Sequence, residues 1–184
     1  MNKRVWTLLA MAFFAFMAVG CCPTTKLSVT VQLDESLRQR LADAGNRQMQ
    51  VDLVGITPAE RQRWTEYSMT KYWTAGDALR DSVKDSRVTL TFDPKDNKPQ
   101  AVPSGDAHWN QWMAGANAKD APRLFVLVQL PGTWSMTDDK QGNEDVRRLI
   151  LPLGACRWDS TNVTVTVKAT GMTTNPSPKL DKGS

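Results

Sequence analysis

The sequence predicts a mainly β, α+β fold: an antiparallel β-sandwich carrying helical insertions. Three observations lead there. Segments of alternating apolar and polar residues stand at both ends of the chain, at Leu27–Leu33, Met49–Ile56 and Val163–Ala169. Helical signals gather in the first half instead of alternating strictly with strands, and no glycine-rich phosphate loop follows a strand. The chain has 184 residues, 41% hydrophobic and 23% charged, the composition of a folded domain with a real core and not of a disordered chain.

Taken in order, Leu27, Val29, Val31 and Leu33 alternate with Ser28, Thr30 and Gln32, which makes a half-buried strand. Asp34 is placed to cap a short helix carrying Leu37, Leu41 and Ala44, ended by Gly45. Met49, Val51 and Leu53 resume the alternation as a second strand running to Ile56. Thr57-Pro58-Ala59-Glu60 reads as a capped helix start, threonine first, proline at the first helical position and glutamate closing the box, with the helix continuing to Trp73. After Thr74–Asp77 a shorter helix passes through Leu79 and Val83, and Val88, Leu90 and Phe92 form a third strand. Asp93–Pro99 is dense turn chemistry, with Gln100–Val102 as the returning strand.

Ser104-Gly105-Asp106 introduces a helical turn with Trp109, Trp112 and Met113. The run LFVLVQL, Leu124–Leu130, reads as a central strand buried on both faces. Asp138–Glu144 is an exposed polar loop. Leu149–Leu153 is a strand interrupted by Pro152 and hence near an edge. Val163–Ala169 is the last strand, and residues 173–184, with two prolines, form a flexible tail.

The first twenty residues stand apart. Lys3 and Arg4 form a positive start, and Val5–Gly20 is an uncharged run of sixteen residues. At ~1.5 Å per residue such a run spans roughly 24 Å, short of the ~30 Å hydrocarbon layer, so a cleaved secretory signal peptide is expected over 1–20 instead of a spanning helix. Ala18-Val19-Gly20-Cys21 resembles the bacterial lipobox, an aliphatic residue and two small ones before a cysteine. That resemblance implies cleavage before Cys21, a thioether-linked diacylglycerol on its sulfur and acylation of the new N-terminus. Residues 21–26 are then the acylated cysteine and a linker, and residues 27–172 the sandwich domain. Cys22 follows where an aspartate is the inner-membrane retention signal, so the resemblance implies the outer membrane, with the domain at its periplasmic face. In an oxidising envelope Cys22 and Cys156 are available to pair, and two free thiols are the alternative.

Composition narrows the chemistry. His108 is the single histidine, and Cys21, Cys22 and Cys156 are the only cysteines, so no metal site and no cofactor are expected. The net charge is +4, but without Lys3 and Arg4 it falls to +2, from 21 basic and 19 acidic residues. The charges are scattered in mixed sign, which argues against a nucleic-acid partner. Ser68-Met69-Thr70-Lys71 matches the S-x-x-K of penicillin-recognising enzymes, but the companion S-D-N and K-T-G triads are absent. No G-x-S-x-G elbow is present, Asp106 beside His108 suits a helix start, and Asp138, Asp139, Glu144 and Asp145 read as a solvated loop. No catalytic residue is assigned. Trp64, Trp73 and Trp109 suit a core; Trp112 and Trp134 have weaker apolar surroundings and are the candidates for ligand or partner contact.

The order of elements is similar to that of the outer-membrane lipoprotein family of type VI secretion systems. Strands Leu27–Leu33 and Met49–Ile56, an aromatic helical insertion from Thr57 to Val83, strand Val88–Phe92, the apolar Leu124–Leu130, then Arg147–Leu153 and Val163–Ala169 follow in matching order. The Asn-Pro-rich segment that often follows that family's first strand is replaced by Asp34–Gly45. The resemblance implies a transthyretin-like sandwich, a structural role and an envelope protein partner, the periplasmic end of an inner-membrane secretion component. The expectation is a non-enzymatic, membrane-anchored lipoprotein. The alternatives are a lipoprotein holding glycan or an apolar molecule on its tryptophans, and a hydrolase using Ser68 and Lys71 or the acidic loop.

Overall fold

The computed structural model describes residues 22–45, 47–96, 98–114 and 121–180; the signal peptide expected over 1–20 and the expected acylation site Cys21 lie outside the described residues. Among the described residues eight strands build two four-stranded sheets. In chain order they are β1 (Ser28–Leu33), β2 (Met49–Ile56), β3 (Val88–Phe92), β4 (Gln100–Val102), β5 (Arg123–Val128), β6 (Arg148–Pro152), β7 (Asn162–Lys168) and β8 (Gly171–Asn175). One sheet has the order β4-β1-β7-β8 and the other β3-β2-β5-β6. The helices are short: α1 (Glu35–Asp43), α2 (Arg61–Glu66), α3 (Met69–Tyr72), α4 (Ala78–Ser82) and α5 (His108–Trp112).

The alternating strands bury one face each, and the inner faces meet. Val29, Val31, Val163, Val165 and Val167 of the first sheet share a core with Val51, Leu53, Leu124, Val126 and Val128 of the second. The opposite face of β2 and β5, carrying Val54, Ile56, Phe125 and Leu127, is covered by Trp64, Met69, Tyr72 and Leu79 from α2, α3 and α4. Residues 124–128 are therefore buried on both faces, as their apolarity predicts, but the strand expected to reach Leu130 ends at Val128 and Gln129 is exposed. Each such side chain contributes about 1.5–3 kcal/mol when fully buried.

Several expectations are corrected. The sheets are not all antiparallel: β1 pairs with β7 in parallel, Val29 against Val163 and Val31 against Val165. A parallel pair needs a long crossover, and here everything between β1 and β7 supplies it. β4 does not return beside β3. It pairs with β1 in the other sheet, Val29 opposite Val102. Asp93–Pro99 is too long for a tight hairpin turn and carries two prolines, so the chain steps across the core and buries Val102 there.

The single helix expected from Thr57 to Trp73 is two. Thr57 Oγ1 donates to Glu60 Oε2 at 3.2 Å, but the α-helix starts at Arg61 and stops at Glu66, with Tyr67 in an extended conformation. The buried Arg148 guanidinium donates to the carbonyls of Thr65 and Tyr67, so the chain can turn there without orphaning them. Ser68 then caps α3. Residues 173–175, expected in the tail, belong to β8; Gly171, at φ 131°, permits the tight return from β7. The threonine-rich β8 has no apolar alternation to announce it.

Candidate functional site

A cleft of about 250 Å³ opens between α3 and the chain after β5, lined by Met69, Thr70, Trp73, Leu130, Trp134 and Arg147. Its floor is a buried ion cluster. Arg147 has 2% of its side chain exposed and donates through Nε to Asp145 Oδ1 at 2.9 Å. Nη2 donates to Asp145 Oδ2 at 2.8 Å and to Asp139 Oδ1 at 2.6 Å, and Nη1 to Thr70 Oγ1 at 3.0 Å. The guanidinium also stacks 4.5 Å from the Trp134 ring centre. Asp139 further accepts from the Ser68 hydroxyl and from the Thr70 amide at 3.0 Å.

Burial by itself would raise the carboxyl of Asp139, yet the donors from Ser68, Thr70 and Arg147 outweigh it and hold the group below the usual range. Asp145 follows the same balance, burial opposed by the Arg147 guanidinium. One cation faces two anions, so the cluster is an internal clamp tying the 135–147 segment to α3, and it does not offer a positive hook to an anionic ligand.

The sequence-singled residues fall on both sides of this site. Trp134 reaches it: half-buried, its ring lies over Arg147, and its Nε1 donates to Leu130 O at 3.1 Å. Trp112 does not. It is 1% exposed in the main core, donates from Nε1 to Ser86 O at 2.6 Å, and stands edge-on to Trp109 with centroids 4.9 Å apart. Its place as a contact residue is therefore corrected; Gly55 on β2, far away in sequence, leaves the space that the ring fills. Trp64 and Trp109 are in cores, whereas Trp73 is half-buried, under Arg80 at 4.5 Å, and lines the cleft.

Ser68 and Lys71 are not brought together as nucleophile and base. Ser68 Oγ accepts from the Lys71 backbone amide at 3.0 Å and donates to Asp139, while the Lys71 side chain is exposed. The S-x-x-K match is a helix cap. The acidic loop is only half solvated: Asp138 bonds back to Ser135 and Glu144 is exposed, but Asp139 and Asp145 belong to the arginine cluster. His108 Nδ1 lies 2.7 Å from Asp106 Oδ1, which also takes the His108 amide; the amide first and the ring second lower the Asp106 carboxyl. Among the described residues no group of three His, Cys, Asp or Glu could hold a metal ion.

Arg147 is the residue that sequence reasoning missed. Its one signal was an Arg-Arg pair opening an apolar strand, where charge is unexpected. A second buried cluster was equally hidden: Asp52, fully buried on β2, accepts from Tyr72 Oη at 2.9 Å, Arg80 Nε at 2.9 Å and Thr89 Oγ1 at 2.6 Å. Burial first, then the Asp52 carboxylate, pushes the Tyr72 phenol far above its ordinary value.

Away from the cleft, Cys22 and Cys156 are joined by a disulfide, S–S 2.05 Å. Among the described residues no helix is long and apolar enough to cross a membrane.

No protein-family model matches the chain, and no curated protein matches it. Solved structures do. The Serratia marcescens Lip, a membrane-bound component of the type VI secretion system, is 12% identical with a TM-score of 0.46, covering 86% of this chain and 100% of that one. The lipoprotein TssJ1 of the Pseudomonas aeruginosa type VI secretion system is 11% identical with a TM-score of 0.46, covering 83% and 95%. A chain of a type VI membrane complex is 12% identical with a TM-score of 0.49, covering 82% and 98%.

Proposed function

We propose that the chain is a non-enzymatic envelope lipoprotein, anchored in the outer membrane through acylated Cys21 and docking a protein partner in the periplasm. One observation carries the placement: Cys22, the residue next to the lipobox cysteine, is disulfide-bonded to Cys156 of the domain. Such bonds persist in oxidising compartments, and the positive, then apolar, then small-residue leader is what sends a chain there. The two sheets stack as a transthyretin-like sandwich, and the order of elements set out from the sequence supports a structural role in a type VI secretion-like assembly. The partner is then the periplasmic end of an inner-membrane component.

Mass spectrometry of the native protein tests the anchor. A mature start at Cys21 carrying diacylglycerol and an N-terminal acyl chain is expected; an intact Met1 terminus or a bare thiol overturns the placement. Crosslinking in the intact envelope tests the role: one inner-membrane secretion component should dominate the capture, and abundant general envelope proteins alone would count against docking.

The cleft favours a second reading, a lipoprotein holding glycan or an apolar molecule on its tryptophans, because Trp73 and Trp134 both line it. Titration with peptidoglycan fragments should then change tryptophan fluorescence, and a flat titration removes this reading.

A further inference from the structure

The start of the domain is fastened at one corner. Besides the Cys22–Cys156 bond, Ala155 N donates to Pro23 O and Thr25 N to Leu153 O, both at 2.7 Å, and Thr24 bridges Gly154. Gly154 leaves the room this needs: a Cβ there would stand 2.7 Å from Cys22 Sγ. Neighbouring Cα atoms are ~3.8 Å apart, so an anchor on Cys21 is one residue from a cross-linked position.

We propose that this corner is a membrane-contact surface: Cys22, Cys156, Lys179 and Leu180 lie against phospholipid headgroups, and the domain stands on the bilayer in one orientation instead of hanging from a flexible stalk. The proposal rests on the lipidation of Cys21 argued above. An independent feature marks the same corner. Leu180 is 89% exposed, and only Met136 joins it as an exposed large apolar side chain among the described residues. The Lys179 amide donates to Arg157 O at 2.8 Å, one residue from Cys156, so the chain just before Leu180 is held at this corner. A leucine beside a long amine suits the headgroup boundary. Lys179 Nζ is 2.5 Å from Asp159, so the contact relies on the tether and Leu180 more than on charge.

Strand direction then sets what faces away. β1 and β7 start at this end, at Ser28 and Asn162, and β6 finishes here at Pro152, opposite Arg123 at the start of β5. β5 finishes at Val128, whose amide bonds Arg147 O at 2.9 Å. Six residues of strand span about 20 Å. The Arg147–Trp134 cleft and α1, which follows Leu33, are thereby held at the far end, toward the periplasm.

The test uses the full-chain lipoprotein, anchor intact, in vesicles of phosphatidylethanolamine and phosphatidylglycerol doped with a photocrosslinking phospholipid, the adducts being mapped by mass spectrometry. Adducts are expected on residues 153–159 and 176–180, with none on α1 or residues 134–147. Reduction, or Cys156→Ser, should spread them. Adducts shared by both ends while Cys21 is acylated and the disulfide intact overturn the contact surface and leave the anchor standing. A free Cys22 thiol in the acylated native protein does the same. An unmodified Cys21 in the same preparation overturns both. The unsubstituted protein alone decides, so a variant that fails to fold changes nothing.

Discussion

Gly55 on β2 and Trp112 on α5 approach so closely that a Cβ on the glycine would lie 2.2 Å from the Cβ of the tryptophan. The contact joins residues 57 positions apart and seats one of the two tryptophans of α5 in the core. Gly55→Ala should destabilise the fold by about 1–3 kcal/mol through overpacking, and Trp112→Ala by about 3–5 kcal/mol through the cavity it leaves. Alanine at 112 keeps the Cβ that stands 2.2 Å from the added methyl, so Trp112→Ala should relieve Gly55→Ala only in part, whereas Trp112→Gly removes the clash; chemical denaturation of Gly55→Ala alone and combined with each checks this coupling.

Arg147→Ala would leave Asp145 buried without the guanidinium, keeping only the amides of residues 140 and 147 as donors. The expected loss is about 3–5 kcal/mol, read by urea unfolding. Lysine should not restore it, since one ammonium cannot reproduce the fork that bonds Asp145 at 2.9 and 2.8 Å and Asp139 at 2.6 Å. Full stability in Arg147→Lys would show that the fork geometry is unimportant.

Asp139 and Asp145 have carboxyls held below their ordinary value in the folded protein. The unfolded chain, with pKa near ~3.9, therefore binds more protons than the folded one over the range just below it, and stability rises with pH there. The contribution is fully present above that unfolded value and disappears as pH falls through the lowered folded values. Melting temperature measured from neutral pH into acid should drop more steeply for the unsubstituted protein than for Asp139→Asn. Equal slopes would contradict the assignment.

The Cys22–Cys156 disulfide closes a separation of 134 residues. Chain-entropy arguments allow up to about 5 kcal/mol for such a loop, with strain and residual structure lowering the realised value. Reduction should lower the melting temperature, by about 2–4 °C for each kcal/mol lost in a domain of this size. An unchanged melt on complete reduction would mean that the staple sets position and not stability.

Ser68 acts as a cap and a ligand of Asp139. Incubation with a penicillin should give no covalent mass increase, while Ser68→Ala should cost about 1–2 kcal/mol of stability. An acyl adduct on Ser68 would reopen the hydrolase alternative.

Much of the fold was legible because burial is periodic. β2 runs over Met49–Ile56 as its alternation predicts, Asp34 caps α1 through the Ser36 amide at 3.0 Å, and the continuous apolarity of 124–128 marks a strand covered on both faces. The site was less legible. Trp134 stood out by its residue type and does line the cleft, but Trp112 has the same type and is in the core. The difference between them is set by Gly55, which no local pattern connects to position 112.

By itself the sequence determined where most strands and caps form and which faces turn inward, because each is written in neighbouring residues. Tertiary structure alone decided that β4 crosses to pair with β1, that Arg148 splits one helix into two, and that Arg147 gathers Asp139, Asp145 and Thr70. Those outcomes depend on which distant groups share a dry interior. There a charge must find its partners or not be buried, and a backbone carbonyl will accept whatever donor the fold brings to it.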